Sequence, residues 1–158
     1  NVPGTITLHT GEVIEIETSG IRDISAGPRN WSALKYYRLA WPIFDNGVVC
    51  TPVHGVTDHG DAYQRILHDG TRWHTIQSME ETVTFESDDI TVASAHWKVT
   101  DEDGRLYDFT GKPLFRWMFP FDTFVFTEQM MEWTLADGTL GYGMVECGFN
   151  FPWRGNGN

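Results

Sequence analysis

The strongest constraint on how this chain folds is a series of X-Gly pairs standing between short runs of alternating apolar and polar residues. Thr10-Gly11, Asn46-Gly47, Asp69-Gly70, Asp103-Gly104 and Asp137-Gly138 each separate two such runs. Gly in a tight turn supplies the positive φ that two-residue hairpins require. Residues 5–10 set Ile6 and Leu8 against Thr5, Thr7 and His9, and residues 12–18 set Ile14 and Ile16 against Glu15 and Glu17. A hairpin of two half-buried strands is expected there. Residues 36–44 read as a strand whose Pro42 points to an edge or a bulge. Residues 48–55 run back from Asn46-Gly47, and 54–61 read as a loop of polar turn formers. Further strands are expected at 63–68, 71–79, 81–86, 90–100, 105–109, 123–128, 130–135 and 139–149. The stretch 114–121, set among Pro113 and Pro120, reads as irregular or edge. No segment carries a sustained helical period with caps. The fold class is therefore all-β: an antiparallel meander with little helix, closed as a β-barrel because closure removes the strand edges.

With 158 residues the chain makes one domain with a sizeable core. We place that domain at 1–153 and a disordered tail at 154–158. The chain opens at Asn1 without Met or an apolar leader, which fits half of a longer protein. A net charge of −11 argues against a nucleic-acid or anionic-membrane surface and leaves neutral, apolar or cationic partners. No run approaches the roughly 18 apolar residues of a membrane span. Cys50 and Cys147 lie in apolar strand-like contexts, as buried thiols of a reducing, cytoplasmic compartment do; a single disulfide is the alternative. Seven Trp and an aromatic content of 14% fill a barrel interior or line a pocket, and composition does not choose between the two.

One connection stands out. Residues 20–31, Gly-Ile-Arg-Asp-Ile-Ser-Ala-Gly-Pro-Arg-Asn-Trp, set opposite charges, backbone-special residues and an aromatic side by side. Pro28 fixes φ and pushes Gly27 toward extended geometry. If Arg22 and Asp23 fold inward each needs a partner, either as a staple closing a barrel end or as a group touching ligand. The segment resembles the G-x-R-D-H-S-W-G-x-R-D-W signature of bacterial lipocalin-like proteins related to hydroxyneurosporene synthase (carotenoid 1,2-hydratase) and the AttH-like proteins. Gly20, Arg22, Asp23, Ser25, Gly27, Arg29 and Trp31 match; Ile24, Ala26 and Asn30 stand where the pattern has His, Trp and Asp. Asp137-Gly138-Thr139-Leu140-Gly141-Tyr142-Gly143-Met144-Val145-Glu146 resembles the same family's closing D-G-x-x-G-x-G-x-x-E. The resemblance implies a lipocalin-like barrel, the second of two in a longer protein, packed on that partner barrel or on a homodimer partner. It also implies an isoprenoid, steroid or lignin-like ligand and hydratase, isomerase or lyase chemistry.

Such chemistry needs an acid aimed at a carbon and an aromatic wall beside the developing positive charge. Asp23 is the leading acid, unless an Arg beside it keeps it ionised. His54, where a strand runs into a loop, is the second catalytic candidate, and His59, Asp61 and His96 are further ionisable residues to inspect. Arg22, Trp31, Tyr37, Trp41, Trp97 and Trp133 are the expected ligand contacts, with Trp117 in the same aromatic set, although large rings are more often core. Glu146 is expected to pair with Arg22. Of Met130 and Met131, one is expected to face inward. The run His54-x-x-x-Asp58-His59-x-Asp61 matches no metal-site spacing, and no P-loop, dinucleotide fingerprint, nucleophile elbow or C-x-x-C pair is present, so no metal or cofactor is expected. A noncatalytic domain and a freestanding carrier are the rival readings.

Overall fold

A computed structural model of the chain describes residues 2–24, 30–121 and 123–150. Strands β1 (Val2–Thr7) and β2 (Val13–Thr18) form a hairpin of their own. After a 3-10 turn at Trp31–Ala33 come β3 (Leu34–Phe44), β4 (Val48–Thr57), β5 (Gly60–Asp69), β6 (Trp73–Phe85), β7 (Val92–Asp101), β8 (Leu106–Phe121), β9 (Phe124–Leu135) and β10 (Leu140–Asn150). Each of these eight pairs antiparallel with the next, and β10 returns to β3, so the meander is a closed barrel. Ser25 to Arg29 of the signature connection, and the tail 154–158, lie outside the described residues.

The turns work as their residues dictate. Gly47, Gly70, Gly104 and Gly138 all have φ between 82° and 97°. Asp69 ties its own turn down: it accepts the Thr71 hydroxyl and the main-chain N–H groups of Thr71 and Arg72. Those bonds hold its carboxyl far below the ordinary carboxylate range.

Several boundaries differ from the sequence expectation. Residues 54–61 are not a loop: β4 runs through His54 to Thr57, Gly60 (φ 117°) opens β5, and Thr57 pairs with Gly60 across the turn. Pairing of β4 with β5 runs on to the Thr57–Gly60 pair, so barrel pairing overrides the local preference of the polar turn formers. The expected strands 71–79 and 81–86 are one strand, β6, with a register shift between Ile76 and Ser78, and 123–128 and 130–135 are likewise one strand, β9. The stretch 114–121 continues β8 past an irregularity between Pro113 and Phe115 and, as its prolines suggest, is an edge, paired only with β9. The β1–β2 hairpin stands outside the ring and is exposed almost throughout, rather than half-buried.

Ala40, Phe44, Cys50, Leu67, Ile76, Trp97, Val99, Phe109, Met131, Trp133, Val145 and Cys147 form one buried cluster. Trp97 and Trp133 are fully buried within it, so these two rings fill the barrel. Gly111 makes room for one of them, because a Cβ there would sit 2.6 Å from the Trp133 ring. The Trp133 indole N–H donates to the Gly143 carbonyl at 3.1 Å. Cys50 and Cys147 are free, buried thiols. No helix among the described residues is long and apolar enough to cross a membrane.

Candidate functional site

Alternation along β3 decides which side chains can meet a ligand. Ala40 and Phe44 belong to the interior cluster, and Arg38 shares their parity; Tyr37, Leu39, Trp41 and Ile43 therefore face outward. Glu146 of β10 stands opposite Leu39 and, alternating with buried Val145 and Cys147, is also on the outer face. Asp23, Asn30 and Trp31, from the described parts of the β2–β3 connection, lie beside this wall. Between them and the wall lies a cavity of about 410 Å³ whose lining includes Asp23, Trp31, Tyr37, Leu39, Trp41 and Glu146. A second cavity of about 280 Å³ shares Trp41 and continues along Ile21, Ile43, Met130 and Tyr142. The Arg22-Asp23 connection thus meets a concavity on the outside of the barrel wall.

The polar centre of the first cavity is a pair. The Tyr37 hydroxyl donates to Oε1 of Glu146. Burial pushes the Glu146 carboxyl above its ordinary pKa; the Tyr37 bond pulls it back, and the negative charges of Glu128 and Asp23 add to the upward push. Tyr37 is itself pushed far above the ordinary phenol range by burial and by Glu146. The Tyr37 ring stacks on Phe124, centroids 5.9 Å apart, and Phe124 lies 4.9 Å from Trp31. Gly148, opposite Tyr37 on β10, gives that ring its place, since a Cβ there would lie 2.1 Å from the ring. No Lys or Arg is among the described lining residues. A carboxyl held toward its neutral form against aromatic walls, with a second carboxylate facing the same space, is a proton donor and acceptor pair.

The sequence candidates divide into three places. Asp23, Trp31, Tyr37, Trp41 and Glu146 meet at the outer cavity. Trp97 and Trp133 are in the core. His54 lies on the inner face, where its Nδ1 is 2.7 Å from Glu81 and its Nε2 3.7 Å from Asp61. Arg38 approaches the same Glu81 at 3.7 Å and lies over the rings of Tyr36 and Phe85. Strands β3 and β6 are not neighbours, so the Arg38–Glu81 contact crosses the lumen. Asp23 and His54 are therefore on opposite sides of the wall. Among the described residues Arg22 makes no ion pair with Glu146; Tyr37 is its partner instead. His96 bonds Asp108 at 2.7 Å, and Asp58 pairs with Lys35 at 3.6 Å. Met131 is buried and Met130 lines the second cavity. Trp117 is exposed on β8. Among the described residues no His, Cys, Asp and Glu side chains gather into a group able to hold a metal ion.

Three participants escaped the sequence reading. The Tyr37–Glu146 bond joins residues 109 positions apart, and no local signal reports it. Gly148 could be recognised only once Tyr37 was placed opposite it. Glu81 did leave a trace: it shares the parity of Val83 and Phe85, the apolar side of its strand, where an acid needs a partner.

The chain belongs to a family described as a domain of unknown function, DUF7064, whose model matches residues 1–151. No curated protein and no solved structure matches it.

Proposed function

We propose that the chain binds an apolar or aromatic small molecule against the outer wall of the barrel, between β3, β10 and the connection that carries Asp23, and that Glu146 and Asp23 act on it as an acid–base pair. The observation that carries this reading is the Glu146 carboxyl, raised toward its neutral form in a cavity walled by Trp31, Tyr37 and Trp41. A neutral carboxyl next to aromatic faces suits protonation of an alkene carbon: the proton adds to one carbon, the neighbouring carbon becomes cationic beside the rings, and water or loss of a proton completes addition or isomerisation. Asp23 would take the proton released by the water. The matching signature and closing motif of the hydroxyneurosporene synthase and AttH-like proteins support hydratase, isomerase or lyase chemistry and an isoprenoid, steroid or lignin-like ligand. They also support a neighbouring lipocalin-like barrel in the whole protein. The buried free thiols suit a cytoplasmic protein.

The test is titration with a medium-length acyclic isoprenoid alkene, read by quenching of tryptophan fluorescence, followed by incubation in heavy water and mass analysis of the recovered alkene or alcohol. We expect saturable quenching that Trp41→Ala weakens, deuterium at one carbon, and loss of that deuterium in Glu146→Gln with binding retained. Saturable binding with no deuterium in the parent chain would make the protein a carrier. Absence of quenching with every apolar probe would overturn the site.

A further inference from the structure

Several strand edges are open among the described residues, β1 and most of the β5–β6 seam among them, and two of the open edges complement each other. Strand β8 pairs with β7 only from Leu106 to Gly111, and thereafter only with β9. Where β8 leaves, the Gln129 side chain takes over both main-chain groups of Val92, accepting from its N–H at 2.5 Å and donating to its carbonyl at 2.9 Å. The ladder that β8 stops supplying to β7 is thus replaced by a side chain, and the edge of β8 itself faces outward. Leu114, Phe115, Trp117, Met118 and Phe119 are all exposed along it. Pro113 and Pro120 lack an N–H and bracket a pairing stretch of six residues, Leu114 to Phe119. The second open edge is β2, six residues long, free of Pro and paired only with β1. Val13 and Ile14 are exposed on it.

The edges are complementary in charge. Residues 112–121 contain Lys112 and Arg116 and no acid, whereas residues 2–18 contain Glu12, Glu15 and Glu17 and no Lys or Arg. Arg116 also touches Thr91 and lies 3.8 Å from Asp88 of its own chain; Lys112 is exposed. Within one chain the two edges lie at opposite ends of the barrel. The hairpin's base at Glu17 to Ser19 borders the same cavity as Phe44 and Asp45, at the far end of β3, while the β8 extension ends where Phe124 pairs with Asn150 near the start of β3. Two barrels lying side by side in opposite directions bring each hairpin to the other's β8.

We propose that a second copy of this chain docks by strand addition, β2 of one copy extending the sheet at Leu114 to Phe119 of the other, twice, in a closed two-fold dimer. Main-chain hydrogen bonds would satisfy both open edges, and the apolar residues on either side would be covered. The twofold makes every side-chain contact occur twice.

Sedimentation of the whole chain over about 1–200 µM tests this; exposed ion pairs are individually weak, but each contact here counts twice, so Lys112→Glu or Glu15→Lys should raise the dimer dissociation constant about tenfold or more. Thermal unfolding of each variant in dilute solution should match the parent, which separates loss of pairing from loss of fold. A chain that stays monomeric throughout leaves the edges to a different partner and overturns the proposal. So does a dimer that neither single reversal weakens, or open-ended growth with concentration.

Discussion

At the scale of single residues the chemistry turns on Glu146. Its neutral form is favoured by burial and by the neighbouring carboxylates, and opposed by the Tyr37 hydroxyl, which bonds the ionised form best. A carboxyl whose folded pKa lies above its unfolded value contributes stability below the unfolded pKa, and that contribution is lost as pH rises through the folded one. Acid-dependent turnover should fall over the same upper window. Tyr37→Phe removes the one bond that holds the carboxyl down, so the falling limb of the pH–rate profile should move to higher pH, which a profile of parent and variant measures directly. Gly148→Ala acts on the same pair by a different route: its methyl would enter the Tyr37 ring, and overpacking of this kind costs about 1–3 kcal/mol. We expect denaturant unfolding to show that loss and the pH profile to shift as it does in Tyr37→Phe, because the displaced ring no longer reaches Glu146. The closing motif showed Glu146 as an acid of interest, since it lies among the strand's apolar residues. It did not show the partner: the expected Arg22 is a neighbour in the motif logic, whereas Tyr37 is a neighbour only through β3–β10 pairing.

At the scale of elements, hairpins were legible because turn chemistry is local. Asn46-Gly47, Asp69-Gly70, Asp103-Gly104 and Asp137-Gly138 all became turns with Gly at positive φ. What was not legible is set by pairing across the barrel. His54 looked like a loop residue because Asp58, His59 and Gly60 follow it, yet its strand continues, since Gly55 to Thr57 pair with residues 60–62 of β5. The Pro-bracketed stretch at 114–121 was legible as an edge, and it keeps strand geometry because β9 pairs with it on the other side. The strands' inward faces carry the next prediction. Glu81 has a side chain only 8% exposed and serves both His54 and Arg38. Truncating one partner of a buried charged set leaves the others unpaired, at a cost of about 3–5 kcal/mol. Glu81→Ala should lose about that much in a urea titration, while tryptophan quenching by ligand at the outer wall persists under native conditions. Loss of both together would join the lumen cluster to the binding site.

At the scale of the whole molecule, closure makes the two cysteines reporters of how the barrel opens. Cys50 on β4 and Cys147 on β10 are both fully buried, and burial pushes both thiols up, Cys147 to about 12. A thiol in that state does not react until it is exposed and able to ionise. An open sheet frays from its edges, but in this ring β10 is held by β9 on one side and β3 on the other. Both thiols should therefore label slowly and at one common rate, set by global unfolding. Destabilising the barrel through Glu81→Ala should then accelerate both together by about a hundredfold or more, the equilibrium factor for a loss of about 3 kcal/mol. Timed thiol labelling with peptide-level mass spectrometry reads each site separately. If Cys147 labelled well before Cys50, β10 would be peeling from β3 on its own. Glu146 and Tyr37 face each other across that same seam, so the outer cavity would then open and close with the barrel and could not be the fixed wall on which the proposed acid–base pair depends.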